Sequence, residues 1–210
     1  MYNIIYTEKG RTVVATKNLT KGTIIIKEFP AIICEDLYDA IYRVYAEYGC
    51  EYDDEPGLVP DVDDLQFKYN NMSPYKIDKY VITKEQIDKE IEKLPTYMQE
   101  FFHNMDHIQL RLLCAKFYRN AFTYDTKYGG PSAILFMGSL LNHSCDNNVD
   151  FYIDRNGFFI FTTNRAVQAG EELCDKYLDT TLSYKKRQDI LLSQYGFECK
   201  CTKCYSKDNN

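Results

Sequence analysis

The sequence predicts an α+β fold, β-rich at both ends and helical in the middle, and three observations carry that prediction. β-Branched runs cut by Gly and Pro fill residues 1–34, apolar positions at helical spacing dominate the middle, and two apolar strands joined by an Asn-Gly turn appear past residue 145. With strands at both ends, the two β parts must come together to bury their apolar faces. A chain of 210 residues, 45% apolar and 27% charged, is long enough for one well-buried core with a small subdomain.

The opening strands are "NIIY", "TVVAT" after Gly10, "TIIIKEF" after the Lys21-Gly22 turn, and "AIIC" after Pro30. From Asp36 the period changes: Leu37, Ile41, Val44 or Tyr45, and Tyr48 fall on one helical face before Gly49 stops the pattern. An acidic loop, "EYDDEPGLVPDVDD", follows. Thr83 and Gln86 form a capping-box pattern ahead of Ile87, Ile91 and Leu94, with Pro95 marking that helix's end. One further helical stretch is expected from about residue 97 through 112 to 117. Strands resume at "NNVDFYI" and "FFIFTT" around "DRNG", whose Asn156-Gly157 pair is a strong hairpin signal. A last helix is expected over about 183–194, ending near Gly196. There is no internal repeat and no low-complexity linker, only a polar tail, "SKDNN".

Formal net charge is −6, unevenly spread. Residues 35–64 hold eleven acids and one base, Arg43, so that segment carries −10 and the remainder +4. Such asymmetry argues against a nucleic-acid-binding surface there and suits a basic peptide, although a solvated acidic loop is the plainer reading. No apolar run is long enough to span a bilayer, and "MYNIIYTEKG" has neither the basic start nor the hydrophobic stretch of a signal peptide. The expectation is therefore an intracellular protein, nuclear or cytoplasmic, with no direct nucleic-acid or membrane contact.

In a reducing compartment, eight cysteines are expected to hold metal rather than to form disulfides. Cys199, Cys201 and Cys204 stand together in "FECKCTKC", three-quarters of a zinc site. Cys34, Cys50, Cys114 and Cys174 carry no such pattern and read as free thiols. Three other stretches draw attention. "GSLLNHSCDNN" holds Asn142 and His143, which alone read as readily as a loop-capping pair. "AGEELCDKYLD" holds Tyr177, which alone reads as readily as core. "EKGRTVVAT" sets Gly10 between Lys9 and Arg11 before a strand, a pattern that a hairpin turn with exposed charge also produces.

Their order and joint occurrence resemble the SET-domain protein lysine methyltransferases, in particular the SMYD branch. "LLNHSCDNN" looks like that family's Asn-His-Ser-Cys motif, "GEELCDKYLD" like its Gly-Glu-Glu-Leu motif with the terminal tyrosine, and "QYGFECKCTKC" like its cysteine-rich tail. "EKGRTVVATKNLTKGTII" resembles the N-terminal strands and "KFYRNAFTY" the Asn-x-Phe motif. The resemblance implies a SET fold with a knotted C-terminal motif: N-terminal strands in 1–34, a mostly helical insertion in 35–110 (acidic over 35–64), the SET core in 111–195 and a zinc-binding tail in 196–210.

The resemblance also implies the chemistry: methyl transfer from S-adenosylmethionine to a lysine, with S-adenosylhomocysteine as product. It puts Lys9, Gly10 and Arg11 at the methionine end of the cofactor, with Asn142, His143 and Asn120 on the same ligand and Phe197 against the adenine. Tyr177 is the implied central catalytic residue. Tyr195 is a second wall of the lysine channel, and Phe122 a wall residue. Cys145 joins Cys199, Cys201 and Cys204 around one structural zinc. The partner implied is a basic, lysine-containing protein tail, histone or non-histone. Residues 35–110 offer only Cys50, His103 and His107 as metal ligands beyond acids, too few for the zinc-binding MYND module of the SMYD branch, and that branch's C-terminal helical domain is expected to be missing too. A catalytically inactive SET-type module that docks basic tails is the alternative. A zinc hydrolase or deaminase is disfavoured, because four cysteines close the metal and no His-x-Glu pattern is present.

Overall fold

Each opening apolar run forms a strand in the computed structural model, which describes residues 1–7, 10–45, 68–74, 76–77, 82–124 and 130–206. The acidic loop "EYDDEPGLVPDVDD" lies outside the described residues, as do Lys9 and Cys50. The chain divides into two units, Met1–Pro30 with Met137–Asn210, and Ala31–Phe136. No helix among the described residues is long and apolar enough to cross a membrane.

In the first unit, β1 (Tyr2–Thr7) and β2 (Gly10–Ala15) pair antiparallel, Thr7 opposite Gly10. Gly10 takes φ 91°, a left-handed conformation that a side chain resists. β3 (Ile24–Glu28) pairs with β9 (Phe159–Thr163), which also pairs with β8 (Val149–Ile153), so N-terminal and C-terminal strands share one sheet as burial requires. Val149, Phe159 and Phe161 are fully buried there. The β8–β9 turn has Gly157 at φ 83°, and the Asp154 carboxylate accepts the backbone N–H of Asn156 and of Phe158. β1 is different, since Ile4 and Ile5 stay exposed and β2 is its one strand partner among the described residues.

A 3₁₀ turn, Gly138–Leu140, leads into the Asn142 motif. The Glu28 carboxylate, at the end of β3, accepts the backbone N–H of Met137 and of Gly138 at 2.8–3.0 Å and fixes the start of that turn. The C-terminal helix α5 (Tyr184–Ile190) runs on into a single π turn, Leu191–Tyr195, ending at Gly196 with φ 78°. α6 (Thr202–Tyr205) closes the tail.

The second unit pairs β4 (Ile32–Cys34) and β5 (Ala121–Thr123) on either side of β6 (Ser132–Ile134). Its helices are α1 (Leu37–Tyr45), α2 (Lys84–Ile91), α3 (Thr96–His103) and α4 (His107–Asn120). They bury Ile41, Val44, Ile87, Phe102, Leu110 and Leu113 in one cluster, with the Tyr38 and Phe102 rings edge-on at 5.4 Å. The single helix expected from about 97 to 117 is two. Asn104 ends α3, and the Asp106 side chain accepts from Gln109 N–H to start α4, so capping breaks a continuous apolar pattern.

The capping box at the head of α2 forms in both directions. Gln86 N–H donates to Thr83 Oγ1, and Thr83 N–H donates to Gln86 Oε1. Thr83→Ala is expected to cost about 1 kcal/mol, read as a lower midpoint in urea with an unchanged slope.

Candidate active site and metal centre

Two motifs distant in sequence meet because two short strands pair in parallel. β7 (Asn142–His143) lies beside β10 (Cys174–Asp175), Asn142 opposite Cys174 and His143 opposite Asp175. Buried Asn148 locks the pair: its Oδ1 accepts Cys174 N–H at 2.9 Å and its Nδ2 donates to the Glu172 carbonyl at 2.8 Å. The preceding residues 171–173 bond to β2, through Ala15 N–H to Glu171 O and Leu173 N–H to Val13 O. Asn142 completes the junction, its Nδ2 donating to Arg11 O at 2.8 Å and to Glu172 Oε1 at 2.9 Å. Arg11 Nη2 donates to Ser139 O at 2.8 Å.

His143 uses both ring nitrogens inside the protein. Tyr177 N–H donates to Nδ1 at 3.0 Å, which leaves the ring proton on Nε2, 3.3 Å from Cys145 Sγ. Tyr177 Oη donates to Leu141 O at 2.6 Å, and Tyr195 Oη donates to Tyr177 O at 3.2 Å. The two phenol rings stand 4.9 Å apart, and His143 lies 5.3 Å from the Tyr177 ring and 6.1 Å from that of Phe197. Burial, then the nearby Asp175 carboxylate, raise the Tyr177 phenol above its ordinary value, and the same two causes raise Tyr195. Asn142, His143, Tyr177 and Phe197 line a cavity of about 590 Å³, with Glu172, Glu198 and Lys200 as its charged lining.

The sulfurs of Cys145, Cys199, Cys201 and Cys204 all lie within 4.8 Å of one another. The thiols of Cys145 and Cys199 are coupled by their contact, which favours ionisation of Cys199 and disfavours that of Cys145. Gln188 grips the tail at Cys199, donating to its carbonyl at 2.8 Å and accepting its N–H at 2.9 Å. Cys34 and Cys114 lie elsewhere, with burial pushing each thiol up to about 12.

Asn120 and Phe122 belong to the second unit. Asn120 Nδ2 donates to Ser73 O at 2.6 Å and to Lys116 O at 2.7 Å. Buried Lys116 donates to the carbonyls of Asn70, Met72 and Pro74, so these two side chains together hold residues 70–74, and burial lowers the Lys116 amine to about 8. Lys9 lies outside the described residues.

Sequence reasoning passed over Asn148, Glu172 and Asp175. All three stand inside quoted motifs, and polar residues flanking short apolar runs are the signal that was available. Asp175 is 2% exposed, and burial pushes its carboxyl up to about 7 despite the Lys176 N–H at 2.6 Å. A carboxyl raised above its ordinary value of about 3.9 binds its proton more tightly in the folded chain, so its stabilising effect is complete below about pH 4 and lost as pH rises through about 7. Asp175→Asn should remove that slope. In urea unfolding the variant gains more than ~1 kcal/mol on the wild type between about pH 5 and pH 8; parallel slopes would mean that water reaches the carboxylate.

Residues 10–178 match the family model of the SET domain. A putative SET domain-containing protein of Acanthamoeba polyphaga mimivirus is 29% identical over 210 residues, covering 96% of this chain and 76% of that protein. A SET and MYND domain-containing protein of Dictyostelium discoideum is 32% identical over 164 residues, which span 77% of this chain but 30% of that protein. Among solved structures, Rubisco LSMT bound to AdoMet superimposes with a TM-score of 0.61 at 15% identity, over 95% of this chain and 52% of that one, a likeness of fold. With the fold, the convergent motifs and the family match in agreement, the chain belongs to the SET-domain family of S-adenosylmethionine-dependent protein lysine methyltransferases.

Proposed function

We propose that this chain is a protein-lysine N-methyltransferase that moves a methyl group from S-adenosylmethionine to a lysine side chain of a histone or another protein. The observation that carries the reading is the cavity where Asn142, His143, Tyr177 and Phe197 meet, whose volume of about 590 Å³ suits a small-molecule site. Bound there, S-adenosylmethionine supplies a methyl group on a sulfonium for in-line displacement by an amine, with S-adenosylhomocysteine left behind. Such a transfer asks the protein for alignment, exclusion of water and a neutral amine.

Phe197 offers a flat apolar face for an adenine ring. Asn142 keeps its side-chain oxygen for the cofactor, because its nitrogen is held by Arg11 O and Glu172. His143 contributes through its ring face and backbone, since both ring nitrogens are engaged. Gly10 and Arg11, with Lys9 beside them in sequence, are assigned to the methionine end. Tyr177 orients the transferring methyl, and Tyr195 walls the lysine channel. An apolar, aromatic channel favours loss of the substrate ammonium's proton.

The four-cysteine cluster suits one structural zinc. A tetrahedral site with Zn–S near ~2.3 Å spaces its sulfurs about 3.8 Å apart, and the sulfurs here lie within 4.8 Å of one another. Four thiolates close the metal, so its role is to clamp the tail, not to bind substrate. The SET and MYND relative supports placing the chain near the SMYD branch, with that branch's knotted C-terminal motif and the segment boundaries set out above. The acidic residues of 35–64 suit a basic tail as partner, in the nucleus or the cytoplasm.

The test is incubation with methyl-labelled S-adenosylmethionine and either histones or whole-cell lysate, beside Tyr177→Phe. Label on a lysine with the wild type, lost in the variant, supports the reading. Calorimetric binding of the cofactor with no label on any protein would leave either a substrate missing from both samples or a non-catalytic docking module.

A further inference from the structure

Arg187 is a buried cation whose head group approaches the sulfur of Cys204. It sits on α5 directly after Lys185 and Lys186, yet it is 1% exposed. Its Nη1 donates to the Leu182 carbonyl, its Nη2 lies 3.9 Å from Cys204 Sγ, and its Nε has no hydrogen-bond partner among the described residues. Among the described residues it forms no ion pair with a carboxylate, and Cys204 is the side chain that its head group approaches.

A guanidinium cannot shed its proton inside a protein, so burial cannot be relieved by neutralisation. A charge taken out of water without a counter-ion is strongly destabilising. Neutral thiols are weak acceptors and would leave this charge uncompensated. A cluster of four thiolates around a divalent zinc carries a net charge of about −2, which is itself costly to bury. Each charge therefore offsets the other, and the 3.9 Å approach of Nη2 to Cys204 places them together.

We infer that Arg187 is the built-in counter-cation of the zinc–thiolate centre, a positioning residue that lowers the charge the tail must bury and holds Cys204 toward the metal. This rests on the zinc reading above. The Nη1 contact ties the same side chain to Leu182, ahead of α5, so the metal, the tail and the start of that helix are held by one group. A guanidinium kept only for packing would behave otherwise when its charge alone is changed.

The experiment compares wild type, Arg187→Met and Arg187→Lys as full chains, reading zinc content by elemental analysis and zinc release to a chromogenic chelator. The wild type should hold about one zinc per chain. Arg187→Met, of similar bulk and no charge, should release zinc about 10–100-fold faster, the usual cost of removing a supporting partner of a metal ligand. Arg187→Lys should stay within about threefold of the wild type. Equal release from the Met and Lys variants would overturn the inference and leave a packing role. If Arg187→Met does not fold, the Lys variant decides: near-wild-type release supports the inference, and release tenfold faster or more overturns it. A wild type without zinc overturns the zinc reading itself, together with everything built on it.

Discussion

Tyr177→Phe should lower the rate of methyl transfer by about 10²–10³-fold, the order seen when one preorganised polar group at a reacting centre is removed. The proposed role requires that the hydroxyl oxygen present lone pairs to the methyl group. The hydroxyl proton is committed to Leu141 O at 2.6 Å, so the oxygen presents lone pairs, which can accept weak contacts from a methyl polarised by a neighbouring positive charge. Burial and Asp175 hold the phenol above its ordinary value, so it stays protonated and does not act as a base. The ring is fixed by its neighbours: Tyr195 at 4.9 Å, His143 at 5.3 Å, and its own backbone N–H held by His143 Nδ1. Phenylalanine keeps those contacts and deletes only the oxygen. S-Adenosylmethionine affinity, read by calorimetry, should therefore change by less than about threefold while the single-turnover rate collapses. Equal losses in rate and affinity would assign Tyr177 to the scaffold instead. A full rate in the variant would remove it from the chemistry.

Much of this arrangement is legible in the sequence, and the part that is not shares a cause. Runs such as "TVVAT" and "FFIFTT" announce strands because several residues in a row prefer extended backbone. Thr83 with Gln86 announces a helix start because the two side chains answer each other locally. β7 and β10 announce nothing, being two residues each, too short for any period to register. They are held by contacts distant in sequence, among them Asn148, whose side chain bonds to Cys174 and Glu172 as a strand partner would. The break between α3 and α4 was visible in Asn104 and Asp106, but the apolar pattern runs across it and masks those caps. Arg187 was the least legible, since after Lys185 and Lys186 it reads as one more solvated charge, and only the folded tail shows it buried. The candidate site follows the same rule. Motif residues declare themselves by type and order, whereas the use of both His143 nitrogens inside the protein follows from contacts that no spacing encodes.

Cys145→Ser is expected to abolish zinc binding, reduce methyl transfer to background, and lower the thermal midpoint by about 6–12 °C, the shift that ~3 kcal/mol produces in a chain of this size. Cys145 is the one member of the cluster outside the tail, so its loss leaves three thiols close in sequence and removes the tie that a metal would make to the body of the first unit. The other ties are the paired hydrogen bonds of Gln188 with Cys199 and the bond from Lys203 Nζ to Thr180 O at 2.9 Å, each contributing about 0.5–1.5 kcal/mol. That is comparable to the entropy of ordering only a few residues. A released tail takes Phe197, Glu198 and Lys200 out of the cavity wall, so cofactor binding fails along with turnover, unlike in Tyr177→Phe. Cys34→Ser is the control, because that thiol is buried in the second unit, and zinc content should not change. Should Cys145→Ser keep its zinc and its activity, the metal is not held by this cluster, and the ordering of the tail rests on Gln188, Arg187 and the burial of Leu191 with Phe197.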